Sequence, residues 1–168
     1  MEPMTAPRSS RTVYLAGPDG FTPAGLAWHR RELVPAVAAA GLTPRSPWDG
    51  FAAEFAALAA MPAGDARVAA YRDLNARVGA ANADLIDRSA GVLAVLDGTD
   101  VDSGTAAEVG YASARGLLVV GLRTDVRSAG DNEGCPVNLQ VEHFIRSSGG
   151  QVFRSLDPAV RCLASQLT

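Results

Sequence analysis

Four carboxylates, those of Asp97, Asp100, Asp102 and Glu108, crowd the Gly- and Asp-rich stretch that follows the apolar run Val92-Leu93-Ala94-Val95-Leu96. Acids grouped in this way can do general acid–base work or supply a carboxylate nucleophile. Two readings of Glu108 stand side by side. Thr105-Ala106-Ala107-Glu108 fits a capping box, in which the Thr105 hydroxyl takes the backbone N–H of residue 108 and Glu108 reaches back. Alternatively, Glu108 is a catalytic carboxylate, kept ionised at neutral pH by the dipole of the helix it helps to start. The two readings differ in where the side chain points.

The elements around these acids can be read from periodicity and turn residues. Val92–Leu96 reads as a buried parallel strand and Ala106–Arg115 as the helix behind it. In open α/β sheets ligands bind at the carboxyl ends of the strands, so this unit delivers its acids to a crevice. Thr12–Ala16 reads as another strand, and its exit Gly17-Pro18-Asp19-Gly20-Phe21-Thr22-Pro23 lets backbone approach a ligand closely in the same crevice. Ala24–Ala40 carries a helical apolar stripe that stops at Gly41, with a kink or break expected at Pro35. Leu42–Ser46 is a short edge strand, demoted by Pro44. In the turn that follows, Trp48 and Asp49 can flank a planar ligand, or Trp48 simply covers the edge strand.

Phe51–Gly64 is Ala-rich without a firm period and fits either a loose helix or a flap. Tyr71, Leu74, Val78, Ala81 and Leu85 then mark a long amphipathic helix from Asp65 to Ile86 or Asp87. Asn82 lies at the margin of its buried face, either hydrogen-bonded structurally or turned toward the crevice. Gly116–Leu122 is a further buried strand, and Arg123–Cys135 a polar loop long enough to suggest a functional or interfacial role. A helix opening at Pro136, a short strand Gln151–Phe153 and a helix Pro158–Leu167 complete the chain.

This alternation predicts a single α/β domain over residues 12–168, a doubly wound, five-stranded parallel sheet of flavodoxin-like kind with flanking helices. Residues 1–11 read as a disordered lead. At 168 residues and 48% apolar content the chain can bury one substantial core. A net charge of −3 and a pI near 5.3 leave no basic footprint for a nucleic acid. No apolar stretch approaches the ~20 residues of a membrane span, and the first residues lack the apolar core of a signal peptide, so a cytoplasmic protein without membrane attachment is expected. Cys135 and Cys162 read as free thiols; with two histidines there is no spaced cluster for a metal, and no cofactor is expected. No dinucleotide or P-loop glycine motif is present.

Tyr14-Leu15-Ala16-Gly17-Pro18, Asp102-Ser103-Gly104-Thr105-Ala106-Ala107-Glu108-Val109-Gly110-Tyr111-Ala112 and Asn138-Leu139-Gln140 together resemble the nucleoside 2-deoxyribosyltransferase family, over Val13 to about Gly150. The resemblance implies that Glu108 attacks the anomeric carbon of a deoxyribonucleoside and that Asp102 belongs to the base- or sugar-binding network. Tyr14, Gly17, Pro18, Phe21, Asp49, Asn82, Gly104 and Gln140 are the substrate-binding candidates, and the resemblance implies that Asn138 reaches a neighbouring subunit's sugar 5′-hydroxyl. The partners implied are a deoxyribonucleoside, a free nucleobase and further copies of the chain in a homo-oligomer. Asn82 departs from the family pattern, standing where many transferases carry an aspartate, so that Asp84, Asp87 or Asp49 substitutes or Asp102 alone handles the base. Gln140, often methionine in bacterial transferases, is a milder change. A related nucleotide N-glycosidase, with phosphate on the amides and hydroxyls of Ser103, Gly104 and Thr105, is the alternative. A non-catalytic nucleotide-binding domain, with Glu108 only a cap, is the third.

Overall fold

Thr12–Ala16 forms strand β1 and is buried at every residue, as a short apolar run without polar alternation requires. The computed structural model describes residues 10–167, so most of the lead expected over residues 1–11 lies outside the described residues. Arg11 corrects that expectation: its Nε donates to Gly41 O at 2.7 Å, and its carbonyl accepts from Thr43 N at 2.8 Å. Strands β2 (Thr43–Arg45), β3 (Gly91–Val95), β4 (Leu118–Leu122) and β5 (Val152–Phe153) join β1 in one parallel sheet of order β2-β1-β3-β4-β5. This is the doubly wound order expected, with Pro44 on an edge strand, where a missing N–H is tolerated.

Seven α-helices are described: α1 (Pro23–Trp28), α2 (Val34–Ala39), α3 (Ala52–Ala59), α4 (Asp65–Asp87), α5 (Ser103–Ala114), α6 (Leu139–Ser147) and α7 (Leu156–Gln166). The period of two along each strand divides the core between the faces of the sheet. Tyr14, Ala16, Val92, Ala94, Leu96 and Val119 cluster with Ile86, Val109, Ala112 and Ile145 of α4, α5 and α6. Val13, Leu15, Leu93, Val95, Val120 and Leu122 cluster with Leu33, Val37, Val160 and Leu163 on the other face. Tyr14 is therefore aimed at α5.

The interruption expected at Pro35 takes the form of a π-helical turn, His29–Leu33, between α1 and α2. Widening the turn ahead of the proline accommodates the missing N–H and the crowding ring. Gly41, at φ +77°, then closes α2: Gly41 N donates to Ala38 O and Leu42 N to Val37 O, a Schellman stop. The segment left open over 51–64 contains a true helix, α3, none of whose residues is buried. Helix α5 starts a turn earlier than expected, and α6 starts at Leu139 rather than Pro136. Cys135 and Cys162 are both free. No described helix is long and apolar enough to cross a membrane.

Candidate active site

The start of α5 decides between the two readings of Glu108. Asp102 is the N-cap, its Oδ2 accepting from Thr105 N at 2.9 Å and from Thr105 Oγ1 at 3.1 Å. The capping box expected at Thr105 therefore does not form. With the helix beginning at Ser103, Glu108 lies in its second turn and its side chain goes elsewhere. The Tyr14 hydroxyl donates to Glu108 Oε1 at 2.6 Å, and Asn82 Nδ2 stands 3.5 Å from the same oxygen, at the outer limit of a hydrogen bond. Asn82 is thus turned toward the crevice.

The carboxyl of Glu108 is half-buried, and its ionisation differs from the dipole-held carboxylate expected from sequence. Burial pushes its pKa up to about 7, the Tyr14 hydrogen bond pulls it down, and the negative charge of Asp102 pushes it up. Tyr14 itself is held far above the usual phenol range by burial and by its carboxylate partner, so it stays a hydrogen-bond donor.

Beside Glu108 opens a cavity of about 230 Å³ at the carboxyl ends of β1 and β3, where the strand order reverses. Of the residues singled out in the sequence, Gly17, Phe21, Asn82, Asp102, Gly104 and Glu108 line it. Pro47, Trp48, Phe51, Phe55, Val78 and Thr105 line it too. The wall is aromatic: Phe21 meets Trp48 edge to face at 4.8 Å between ring centres, and Phe21 is 70% exposed, as a ligand-facing ring can be. Phe51 and Phe55 come from α3 and its first flank. Their four-residue spacing was available in the sequence as one helix face, without a sign of what that face covers.

Several expected residues are not brought to this cavity. Asp97 accepts from Thr124 N, Thr124 Oγ1 and Asp125 N, and so ties the β3 exit to the β4 exit; Asp100 accepts from Val101 N. Of the four acids only Asp102 and Glu108 line the cavity. Asp84 pairs with Arg88, and Asp87 pairs with Arg115 and accepts from the Tyr111 hydroxyl, while Asp49 is exposed beside Trp48. None of these three lines the cavity as a substitute for Asn82. Pro18 shapes the turn, its carbonyl accepting from Phe21 N. Asn138 caps α6, accepting from Gln140 N and Val141 N, and neither Asn138 nor Gln140 lines the Glu108 cavity of its own chain. Among the described residues no group of His, Cys, Asp and Glu side chains is gathered to hold a metal ion.

The fold is a doubly wound sheet with a half-buried glutamate and a tyrosine at its switch point. The family profile described as nucleoside 2-deoxyribosyltransferase matches residues 13–140, and the chain belongs to that family, whose members are enzymes acting on N-glycosidic bonds. Solved structures share the fold. A 2-deoxyribosyltransferase from Leishmania mexicana aligns with TM-score 0.64 and 24% identity over 92% of this chain and 97% of its own. A conserved protein of Enterococcus faecalis V583 aligns with TM-score 0.65 and 23% identity over 96% and 99%. The CMP N-glycosidase of Clostridium botulinum aligns with TM-score 0.51 and 16% identity over 92% and 98%. No curated protein matches the sequence.

Proposed function

We propose that the protein is a nucleoside 2-deoxyribosyltransferase that exchanges bases through a deoxyribosyl-Glu108 ester. The observation that carries this reading is the Glu108 carboxyl held by the Tyr14 hydroxyl at the edge of an aromatic cavity. A nucleobase stacks on Phe21, Trp48, Phe51 or Phe55, and the sugar lies toward Glu108. The ionised carboxylate attacks C1′ on the face opposite the base. The C1′–O bond forms as the C1′–N bond breaks, and that electron pair leaves with the base, which takes up a proton. Asp102, which lines the same cavity, accepts a hydrogen bond from an N–H of the departing base, and the proton that the base takes up comes from solvent. A second base then attacks C1′ from the original face and frees Glu108, so the configuration is retained.

Cleavage of a nucleotide, as the name of the structurally similar CMP N-glycosidase suggests, is the second reading. Two features favour an uncharged substrate. Among the described residues the cavity lining includes two carboxylates and no Lys or Arg, and the start of α5 is already occupied by the Asp102 carboxylate. A phosphate seated on the Ser103–Thr105 amides would stand against that charge. Deoxyinosine incubated with free adenine should yield deoxyadenosine and hypoxanthine. Hydrolysis confined to a deoxynucleoside monophosphate would establish the glycosidase instead, and binding with no turnover of either would leave a nucleotide-binding domain.

A further inference from the structure

A buried pair of polar side chains, Asp19 and His29, lies outside the cavity. Asp19 is 9% exposed and His29 3%, and His29 Nδ1 stands 3.3 Å from Asp19 Oδ2. A carboxylate only accepts, so Nδ1 carries the hydrogen. The second ring nitrogen, Nε2, is buried without a hydrogen-bond partner. Such a pair is a poor device for stability, because desolvation offsets its attraction and an apolar pair of like volume would do as well. Its location suggests a different use.

Asp19 opens the 3-10 turn Asp19–Phe21, whose last residue is the ring that meets Trp48. His29 begins the π-helical turn between α1 and α2. The turn between them is wedged from three sides. A Cβ on Gly20 would lie 2.1 Å from Trp48 Cδ2, so the backbone there rests directly on the indole. A Cβ on Gly25 would lie 2.4 Å from Asp19 O, which brings α1 equally close. A Cβ on Gly17 would lie 3.2 Å from Asp19 Oδ2, so the carboxylate sits against the first residue of the cavity wall.

We propose that Asp19 and His29 form a latch that fixes the Asp19–Phe21 turn and holds Phe21 on Trp48, making the base-stacking wall. Neither residue lines the cavity, so both act as positioning residues through Phe21 and Trp48. Releasing the latch loosens the wall that binds the base and leaves the Glu108–Tyr14 pair untouched. The loss then falls on substrate binding and not on the bond-breaking step. The effect on catalysis rests on the transferase reading above; the effect on the wall does not.

The test uses full-length protein with Trp28→Phe, which leaves Trp48 as the only tryptophan. Asp19→Asn and His29→Gln, each verified as folded by its thermal midpoint, should raise acrylamide quenching of Trp48 fluorescence. Each should also raise KM for deoxyinosine about tenfold while kcat stays within about twofold. Phe21→Ala should raise KM similarly, and the Asp19→Asn/Phe21→Ala double variant should rise no further, because both changes remove the same wall. Unchanged quenching in a folded Asp19→Asn or His29→Gln variant overturns the latch. So does a KM effect that adds to that of Phe21→Ala, or a lowered thermal midpoint with KM and quenching unmoved. A protein that turns over no deoxynucleoside would refute the transferase reading, and the quenching comparison would still decide the latch.

Discussion

On the transferase reading proposed above, Glu108 attacks as a carboxylate, whereas its burial favours the neutral form and pushes its pKa up to about 7. A raised carboxyl pKa protonates the nucleophile below about pH 7, so kcat/KM should rise with pH through that value and level off above it. The Tyr14 hydrogen bond holds this pKa down. Tyr14→Phe should therefore move the acidic limb to higher pH, as a pH–rate profile would record; a limb at the same pH in the variant would separate Tyr14 from the nucleophile. Asp102 and Glu108 both stand out in the sequence, but the capping role that the sequence offers to Thr105 and Glu108 falls to Asp102. Asp102 and Thr105 are both good caps three residues apart, and local preference does not choose between them. Burying Val101, Thr105 and Val109 on the sheet starts the helix at Ser103 and turns Glu108 toward Tyr14.

At the scale of the element, Asp102 serves α5 and the cavity at once, and two substitutions separate these duties. Asparagine caps as well as aspartate, so Asp102→Asn should leave the thermal midpoint nearly unchanged. It should lower turnover, and by removing the negative charge that raises the Glu108 pKa it should move the acidic limb to lower pH. Asp102→Ala should in addition lose about 1 kcal/mol of capping, roughly 2–4 °C in a chain of this size by calorimetry. Equal thermal losses in both variants would mean that the charge, not the cap, supports α5. Strands β1, β3 and β4 were legible because burial on both faces demands an unbroken apolar run, and α4 because burial of one face imposes a helical period. Helix α3 was not, since no residue of it is buried and its aromatic ring turns to the cavity.

At the scale of the molecule, the parallel sheet followed from the alternation of apolar runs and helical stripes, and Gly17 with the Asp102–Glu108 segment marked its crevice. The aromatic wall was less legible, because Trp48, Phe51 and Phe55 come from two separate elements that only the folded chain brings beside Phe21. Asn138 raises the question of assembly. Within its own chain it caps α6 and lies away from the Glu108 cavity, while Leu139 beside it and Val126 in the preceding loop are exposed. We propose that the active unit is a symmetric homo-oligomer in which Asn138 completes a neighbour's site. Mixing inactive Glu108→Ala and Asn138→Ala protomers should then restore activity, because a mixed dimer carries one intact pocket. No recovery between subunits shown to exchange would assign Asn138 to its own helix alone.

Attack by Glu108 on C1′ is tested most directly by acid-quenching the enzyme during turnover of deoxyinosine and weighing the intact protein. Formation of the ester adds one deoxyribosyl group, which peptide mapping should place on Glu108, and Glu108→Gln should carry none and release no hypoxanthine. An adduct on another residue, or undiminished base exchange by Glu108→Gln, contradicts the nucleophilic role of Glu108.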